Sequence, residues 1–420
     1  MTGLILAAPS SGAGKTTITL GLLRALRNAG YNVRSGKSGP DYIDPQFHAA
    51  ASGRPCVNLD AWAMSPERIR GLADGTGPLI VEGAMGLFDG APPAGKGSTA
   101  DLARTLDLPV VLIIDAKAMS HSVGALVRGF ASHDPTVQIA GLILNRVGSP
   151  RHETMLRTAI APLGLPVLGA IPRSETLSRP SRHLGLVQAG EMPDLDVFLE
   201  TAAAQVTQHI DLTALLALMR PANSSPTRMQ TSQPRRIALA QDAAFSFVYP
   251  HHIADWQEQG TTIIPFSPLA DEAVPAADEV FLPGGYPELH AETLAGNQTF
   301  IQSLRNAAQQ VDIYGECGGY MTLGETLIDA DGTPHKMAGL LGLTTSFATR
   351  KLHLGYRTLR GLTPSHPATY TAHEFHYATT INAQGTPLFE ASDAEGRDLG
   401  PIGLTEGRVS GSFAHIIDHA

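Results

Sequence analysis

The segment Ser10–Thr17, S-S-G-A-G-K-T-T, joins the apolar run Leu4–Ala8 to an amphipathic stretch that starts at Ile18. A strand that turns through glycines straight into a helix leaves few folds open. Backbone N–H groups of such a turn, at a helix N-terminus, form a concave site for phosphate oxygens. Gly12 and Gly14 permit close backbone approach, Lys15 reaches the terminal phosphates, and Thr16, followed by Thr17, offers a hydroxyl to Mg2+. The spacing G-x-x-x-x-G-K-T is not fully met, because Pro9 stands where the first glycine belongs. Ile18, Leu22, Leu26 and Ala29 share one stripe of the helix, with Arg24, Arg27 and Asn28 outward and Gly30 as its stop.

Apolar runs at Leu79–Glu82, Val110–Asp115, Ala140–Asn145 and Val167–Ile171 alternate with helical patterns, which predicts βαβ units and a parallel sheet. At 221–234 the composition changes to proline, Ser, Thr, Asn and Gln, which reads as a linker. Strand-like runs resume at Ile237–Ala240, Thr262–Phe266, Val280–Pro283 and Val311–Tyr314. The predicted fold is therefore α/β with two domains: an ATP-binding, P-loop NTPase-like parallel sheet over 1–220 and a second α/β domain over 235–420. A chain of 420 residues, 43% hydrophobic, can fill two cores. Its net charge of −9, with no Lys/Arg block, argues against a nucleic-acid partner. Two cysteines make no disulfide framework, and no apolar run reaches membrane-spanning length. A cytoplasmic protein without a membrane partner is the expectation.

Metal ligands are expected where carboxylates gather near phosphates. The turn-rich stretch K-S-G-P-D-Y-I-D-P-Q-F-H holds Lys37, Asp41, Asp44 and His48. Glu82 ends a predicted strand, where open α/β sheets place ligand groups, and the segment that follows adds Asp89. Such carboxylates repel one another beside a triphosphate unless a divalent cation lies among them. Asn145, at another strand end, either reads the adenine edge or closes a simple turn.

A second chemistry lies at Gly315–Tyr320, G-E-C-G-G-Y, between a β-run and a predicted helix over Gly318–Glu325. The tight turn needs small neighbours and presents Cys317 at a helix N-terminus, where the dipole favours thiolate. Gly318 supplies one oxyanion donor, and the loop Pro283–Tyr286, through Gly285, supplies the second. Cys56, in R-P-C-V-N, reads as a buried structural thiol. A nucleophilic cysteine needs a base; His415 in G-S-F-A-H-I-I-D and the pair His373 and His376 in A-H-E-F-H-Y compete for that role.

Together the phosphate loop, K-S-G-P-D-Y-I-D-P, V-E-G-A-M-G-L-F-D-G and the cysteine segment make the chain resemble the corrin-ring a,c-diamide synthases of cobalamin biosynthesis. The likeness covers essentially the whole chain. Its first half also resembles dethiobiotin synthetase, whose altered phosphate loop accounts for Pro9. The second resembles class I glutamine amidotransferases, of flavodoxin-like fold, in the branch shared with cobyric acid synthase.

The resemblance implies ATP- and glutamine-dependent amidation of two corrin carboxylates through acyl phosphates. Its substrates are a corrinoid acid, L-glutamine and ATP, with Mg2+ as cofactor, and it leaves room for a homodimer. It implies Cys317 and His415 as catalytic residues, with nucleotide contacts from Gly12, Gly14, Lys15, Thr16, Thr17, Lys37 and Asn145. Thr16, Asp44 and Glu82 would hold the metal, and Asp41, Tyr42, Ile43 and Asp89 would face the substrate. Many amidotransferases carry H-x-E, but Ile417 stands in that place and Asp418 one later, which leaves the third member open. Ile43 inclines the reading toward cobalt-free hydrogenobyrinic acid over cobyrinic acid. Rival readings are amidation of another carboxylate and a MinD/ParA-type ATPase switch.

Overall fold

Strand β1 (Thr2–Ala7) runs into the phosphate loop and helix α1 (Lys15–Asn28) in the computed structural model, which describes residues 2–174, 188–222, 235–364 and 366–420. β2 (Arg34–Ser38), helix α2 (Asp44–Ser52), β3 (Cys56–Leu59) and β4 (Pro78–Glu82) follow. β5 (Val110–Asp115), β6 (Ile139–Val147) and β7 (Val167–Pro172) complete a parallel sheet of order β3-β2-β4-β1-β5-β6-β7. A short β8 (Arg220–Pro221) pairs antiparallel with Thr2 and Gly3 of β1. The run predicted to be a linker thus begins inside a strand pairing, and 223–234 lies outside the described residues. By its internal packing the chain divides into two compact units, 1–227 and 228–420.

Two expectations about the first unit change. The stretch from Lys37 was read as turns, yet Lys37 lies on β2 between β3 and β4. R-S-G-K-S has no apolar signature, and it is a strand because its neighbours on both sides pair with it. Arg24 was expected in solvent, but it is buried and bonds Asp196 at 2.7 Å and Glu200 at 3.1 Å. Both acids lie on the helix Leu195–His209, which covers the polar flank of α1 and buries Leu199, Ala203 and Val206 in the same core as Leu22 and Leu26.

In the second unit β9 (Arg236–Ala240), β10 (Thr262–Phe266), β11 (Glu279–Leu282) and β12 (Asp312–Glu316) are parallel. Beyond them come β13 (Thr326–Ile328), β14 (Pro334–Lys336), β15 (Gly342–Ser346), β16 (His353–Gly361) and β17 (Thr369–His376). β18 (Thr379–Gln384), β19 (Thr386–Asp393), β20 (Asp398–Glu406), β21 (Val409–Ser412) and β22 (Ala414–His419) end the chain. The parallel core runs β10-β9-β11-β12-β21, the flavodoxin-like order 2-1-3-4-5. It continues antiparallel through β20-β19-β16-β17-β22, and β14-β13-β15-β18 form a separate sheet. Among the described residues no helix is long and apolar enough to cross a membrane.

Candidate active site

In the first unit the phosphate loop and the end of β4 converge. Thr16 Oγ1 donates to Glu82 Oε1 at 2.6 Å and to Asp44 Oδ2 at 3.4 Å. Lys37 Nζ sits among the same carboxylates, 2.7 Å from Asp44, 3.1 Å from Glu82 and 3.7 Å from Asp41. Burial works against this ammonium, but the three acids outweigh it and raise the Lys37 pKa. A hydroxyl and two anionic oxygens gathered at one point are the hard donors that suit Mg2+, so Thr16, Asp44 and Glu82 fit that ion. Burial lowers the Lys15 pKa, and its Nζ donates to the Met85 carbonyl.

The remaining first-unit candidates are partly committed to structure. Asp41 Oδ1 accepts the N–H groups of Ile43 (2.8 Å) and Asp44 (3.1 Å), which sets the start of α2. Burial and the neighbouring Asp44 push its carboxyl up to about 6. Tyr42 and Ile43 are half-buried beside it. Asp89 Oδ2 accepts the Gly86 N–H at 2.8 Å and closes its turn. Asn145, weighed as an adenine reader or a simple strand-end turn, donates from Nδ2 to the Ala13 carbonyl at 2.8 Å and accepts the Arg146 N–H through Oδ1. Its amide braces the phosphate loop, because the end of β6 lies directly behind that loop.

In the second unit Cys317 follows β12 with φ of 45°, a strained value for a residue with a Cβ. Its N–H donates to the Ser412 carbonyl at 2.8 Å, tying the turn to β21. A Cβ on Gly319 would lie 1.9 Å from the Leu282 carbonyl oxygen, so only glycine lets the following helix approach β11 this closely. Gly284 joins the two catalytic candidates. A Cβ there would lie 2.3 Å from His415 Cε1, 3.1 Å from His415 Nε2 and 3.4 Å from Cys317 Cβ. The Gly285 nitrogen is 3.1 Å from the Cβ position of Gly318, so the two glycines expected to supply the oxyanion donors lie close together.

For the third member, sought after His415, the structure offers a candidate that lies before Cys317. Glu316 Oε2 is 3.5 Å from His415 Nδ1, and Glu316 Oε1 accepts the Ile416 N–H at 3.0 Å. Both side chains are buried. Asp418 is turned to its own neighbour, accepting the His419 N–H, and the Ile417 carbonyl accepts from His251 and His252. The available signal was the glutamate of G-E-C-G-G, but nothing in sequence ties it to a histidine 99 positions on.

The competing histidines do other things. His373 pairs opposite His415 across β17 and β22, and burial, His415 and Arg357 hold it down to about 3. His376 Nε2 bonds Glu374 at 2.9 Å, and the Arg357 guanidinium bonds the other Glu374 oxygen at 2.8 Å. His353, Glu374 and His376 come together closely enough to hold a metal ion. However, the two rings stack face to face, 6° apart, and Arg357 already holds the carboxylate. The group reads as an ion-pair network.

The expected thiolate is not what the resting site favours. Burial pushes the Cys317 thiol up, Glu288, Glu374 and Glu316 push the same way, and only the Gly318 N–H opposes them. Burial, with the three carboxylates adding to it, therefore outweighs the short helix, and the proton must leave during attack. A raised pKa means a smaller thiolate fraction near neutrality than an ordinary cysteine has. Iodoacetamide labelling of Cys317 is expected to climb about tenfold per pH unit through roughly pH 8–10. A rate already level at pH 7 would show a resident thiolate and contradict this account.

Two family models match the chain in the same order as these sites. The CobQ/CobB/MinD/ParA nucleotide binding domain covers residues 4–187, and the CobB/CobQ-like glutamine amidotransferase domain covers 236–420. A hydrogenobyrinate a,c-diamide synthase from Brucella abortus is 55% identical, covering 100% of this chain and 99% of the relative. Proteins of the same description from Rhizobium meliloti and Rhodobacter capsulatus are 52% and 50% identical, covering 100% and 99% of this chain and 99% and 98% of their own lengths. With nucleotide-binding and amidotransferase parts in one full-length match, the chain belongs to the family of the hydrogenobyrinate a,c-diamide synthases.

Proposed function

We propose that the chain amidates the a and c side-chain carboxylates of hydrogenobyrinic acid, with glutamine as nitrogen donor and ATP as activator, in the cytoplasm. The observation that carries the reading is full-length identity of 50–55% to relatives of that description, in a chain holding both a phosphate loop and a Cys–His–Glu group. Hydroxide is a poor leaving group, so a carboxylate must be activated before ammonia can displace oxygen from it.

In the second unit Cys317 Sγ attacks the glutamine amide carbon while His415 takes the thiol proton and passes it to the departing ammonia. Glu316 orients the imidazole through Nδ1, and the N–H groups of Gly285 and Gly318 receive the oxyanion. Water then hydrolyses the thioester to glutamate. In the first unit a corrin carboxylate attacks the γ-phosphate and ADP leaves. Ammonia adds to the resulting acyl phosphate and inorganic phosphate departs. Gly12, Gly14, Lys15, Thr16, Thr17 and Lys37 cradle the phosphates, while Asp41, Tyr42, Ile43 and Asp89 face the corrinoid. Mg2+ held by Thr16, Asp44 and Glu82 would neutralise phosphate charge.

Mass spectrometry of reactions with hydrogenobyrinic acid or cobyrinic acid, given ATP, Mg2+ and glutamine, tests this reading. Each amidation exchanges O–H for N–H2 and lowers the mass by about one unit, so two such steps are expected. Conversion of the cobalt-bearing acid alone would overturn the substrate assignment, and an unchanged corrinoid in both mixtures would remove the reading.

A further inference from the structure

Glu82 uses its two oxygens differently. Oε1 faces Thr16 and Lys37, while Oε2 lies 2.7 Å from Nε2 of His48. Both partners of this second contact are buried, and the other ring nitrogen of His48, Nδ1, lies 3.4 Å from Cys56 Sγ. The helix α2 explains the pairing. Asp44 is its first residue and His48 comes four later, so the two share one face. His48 meets the Glu82 carboxylate directly, Asp44 shares Thr16 and Lys37 with it, and Cys56 on β3 lies behind the ring.

We propose that His48 is a positioning residue, holding the Glu82 carboxylate so that Oε1 alone faces the divalent cation, and that Cys56 anchors its ring. This rests on the reading of Thr16, Asp44 and Glu82 as the metal site. Without His48 the carboxylate turns freely about its last bond and leaves Oε2 buried and unpaired. Outer contacts of this kind govern how well a ligand meets its ion. Cys56 is then more than core filler: its sulfur fixes which ring edge points at Glu82.

Mn2+ binding in the presence of ATP, followed by electron paramagnetic resonance without any corrinoid acid, tests this on the full chain. Glu82→Gln should weaken Mn2+ strongly; if it does not, the metal site itself is misassigned. His48→Asn and His48→Gln are both polar, but only glutamine reaches the place of Nε2, and asparagine reaches that of Nδ1. Asparagine is expected to weaken Mn2+ by about ten- to hundredfold and glutamine by much less, with Cys56→Ala between them. Glutamine hydrolysis and the melting temperature should stay near wild type in all three. Equal Mn2+ affinity in the two His48 variants, or wild-type affinity in asparagine, would overturn the proposal, provided Glu82→Gln binds poorly. A variant that melts early is set aside for Cys56→Ala, whose unchanged Mn2+ affinity would remove the anchoring role.

Discussion

Cys317→Ala is expected to lower glutamine-supported amidation by more than about a thousandfold while synthesis from ammonium salts stays within about twofold of wild type. The reason is chemical division. In the proposed mechanism the Cys317 sulfur forms the thioester with glutamine, and nothing in the steps assigned to the phosphate loop involves it. The substitution keeps the backbone bond from residue 317 to Ser412, so the turn persists. Removing one buried sulfur costs on the order of 1–2 kcal/mol, too little to unfold an ordinary domain. Amide product measured by mass spectrometry, with either nitrogen source, reads the split. Equal loss from both sources would mean that Cys317 supports the fold or the synthetase step, and retained glutamine use would end its role as nucleophile.

Glu316→Gln should cost about 10²–10⁴ in the rate of glutamine hydrolysis with little change in KM. The replacement is nearly isosteric, and its carbonyl oxygen still accepts the Ile416 N–H that Glu316 accepts now. Its amide nitrogen, however, presents a donor to His415 Nδ1 where the carboxylate presents an acceptor. That moves the imidazole proton to Nε2, on the side of Gly284 and Cys317, and the ring can no longer take a proton from sulfur. Electrostatics supply a second readout. Glu316 is one of the charges that raise the Cys317 pKa, so its removal should make alkylation faster at a given pH while hydrolysis slows. Opposite movement of the two rates is the signature of an orienting carboxylate. Parallel loss would point to a collapsed pocket.

Local chemistry made part of this protein readable. A glycine-rich turn, a strand-end glutamate and a cysteine between glycines each announce themselves within about ten residues, because the backbone demands those residue types. Thr16, Asp44 and Glu82 were named from such patterns, and the structure brings them together. Lys37 was seen but misplaced in a turn, since R-S-G-K-S lacks the apolar pattern that marks a strand. Arg24 was assigned to solvent because a helical pattern does not say which faces a second helix will cover.

The antiparallel half of the second unit was the least visible. β18, T-T-I-N-A-Q, alternates no clear apolar face, and much of it is exposed. Its strands exist because β15 and its neighbours offer backbone partners, and that is a property of pairing.

Residue identity alone determined the chemistry available to this chain: a phosphate cradle, clustered carboxylates and a thiol set among glycines. Tertiary structure decided which groups act on one another. It set Glu316 beside His415, His48 behind Glu82 and the amide of Asn145 against the phosphate loop. Those contacts join residues 34 to 132 positions apart, and the order of strands, parallel and antiparallel, together with the helix and loop that follow them, brings them to common points. Side-chain proximity at that range is fixed by sheet order and register, which depend on the whole core packing at once.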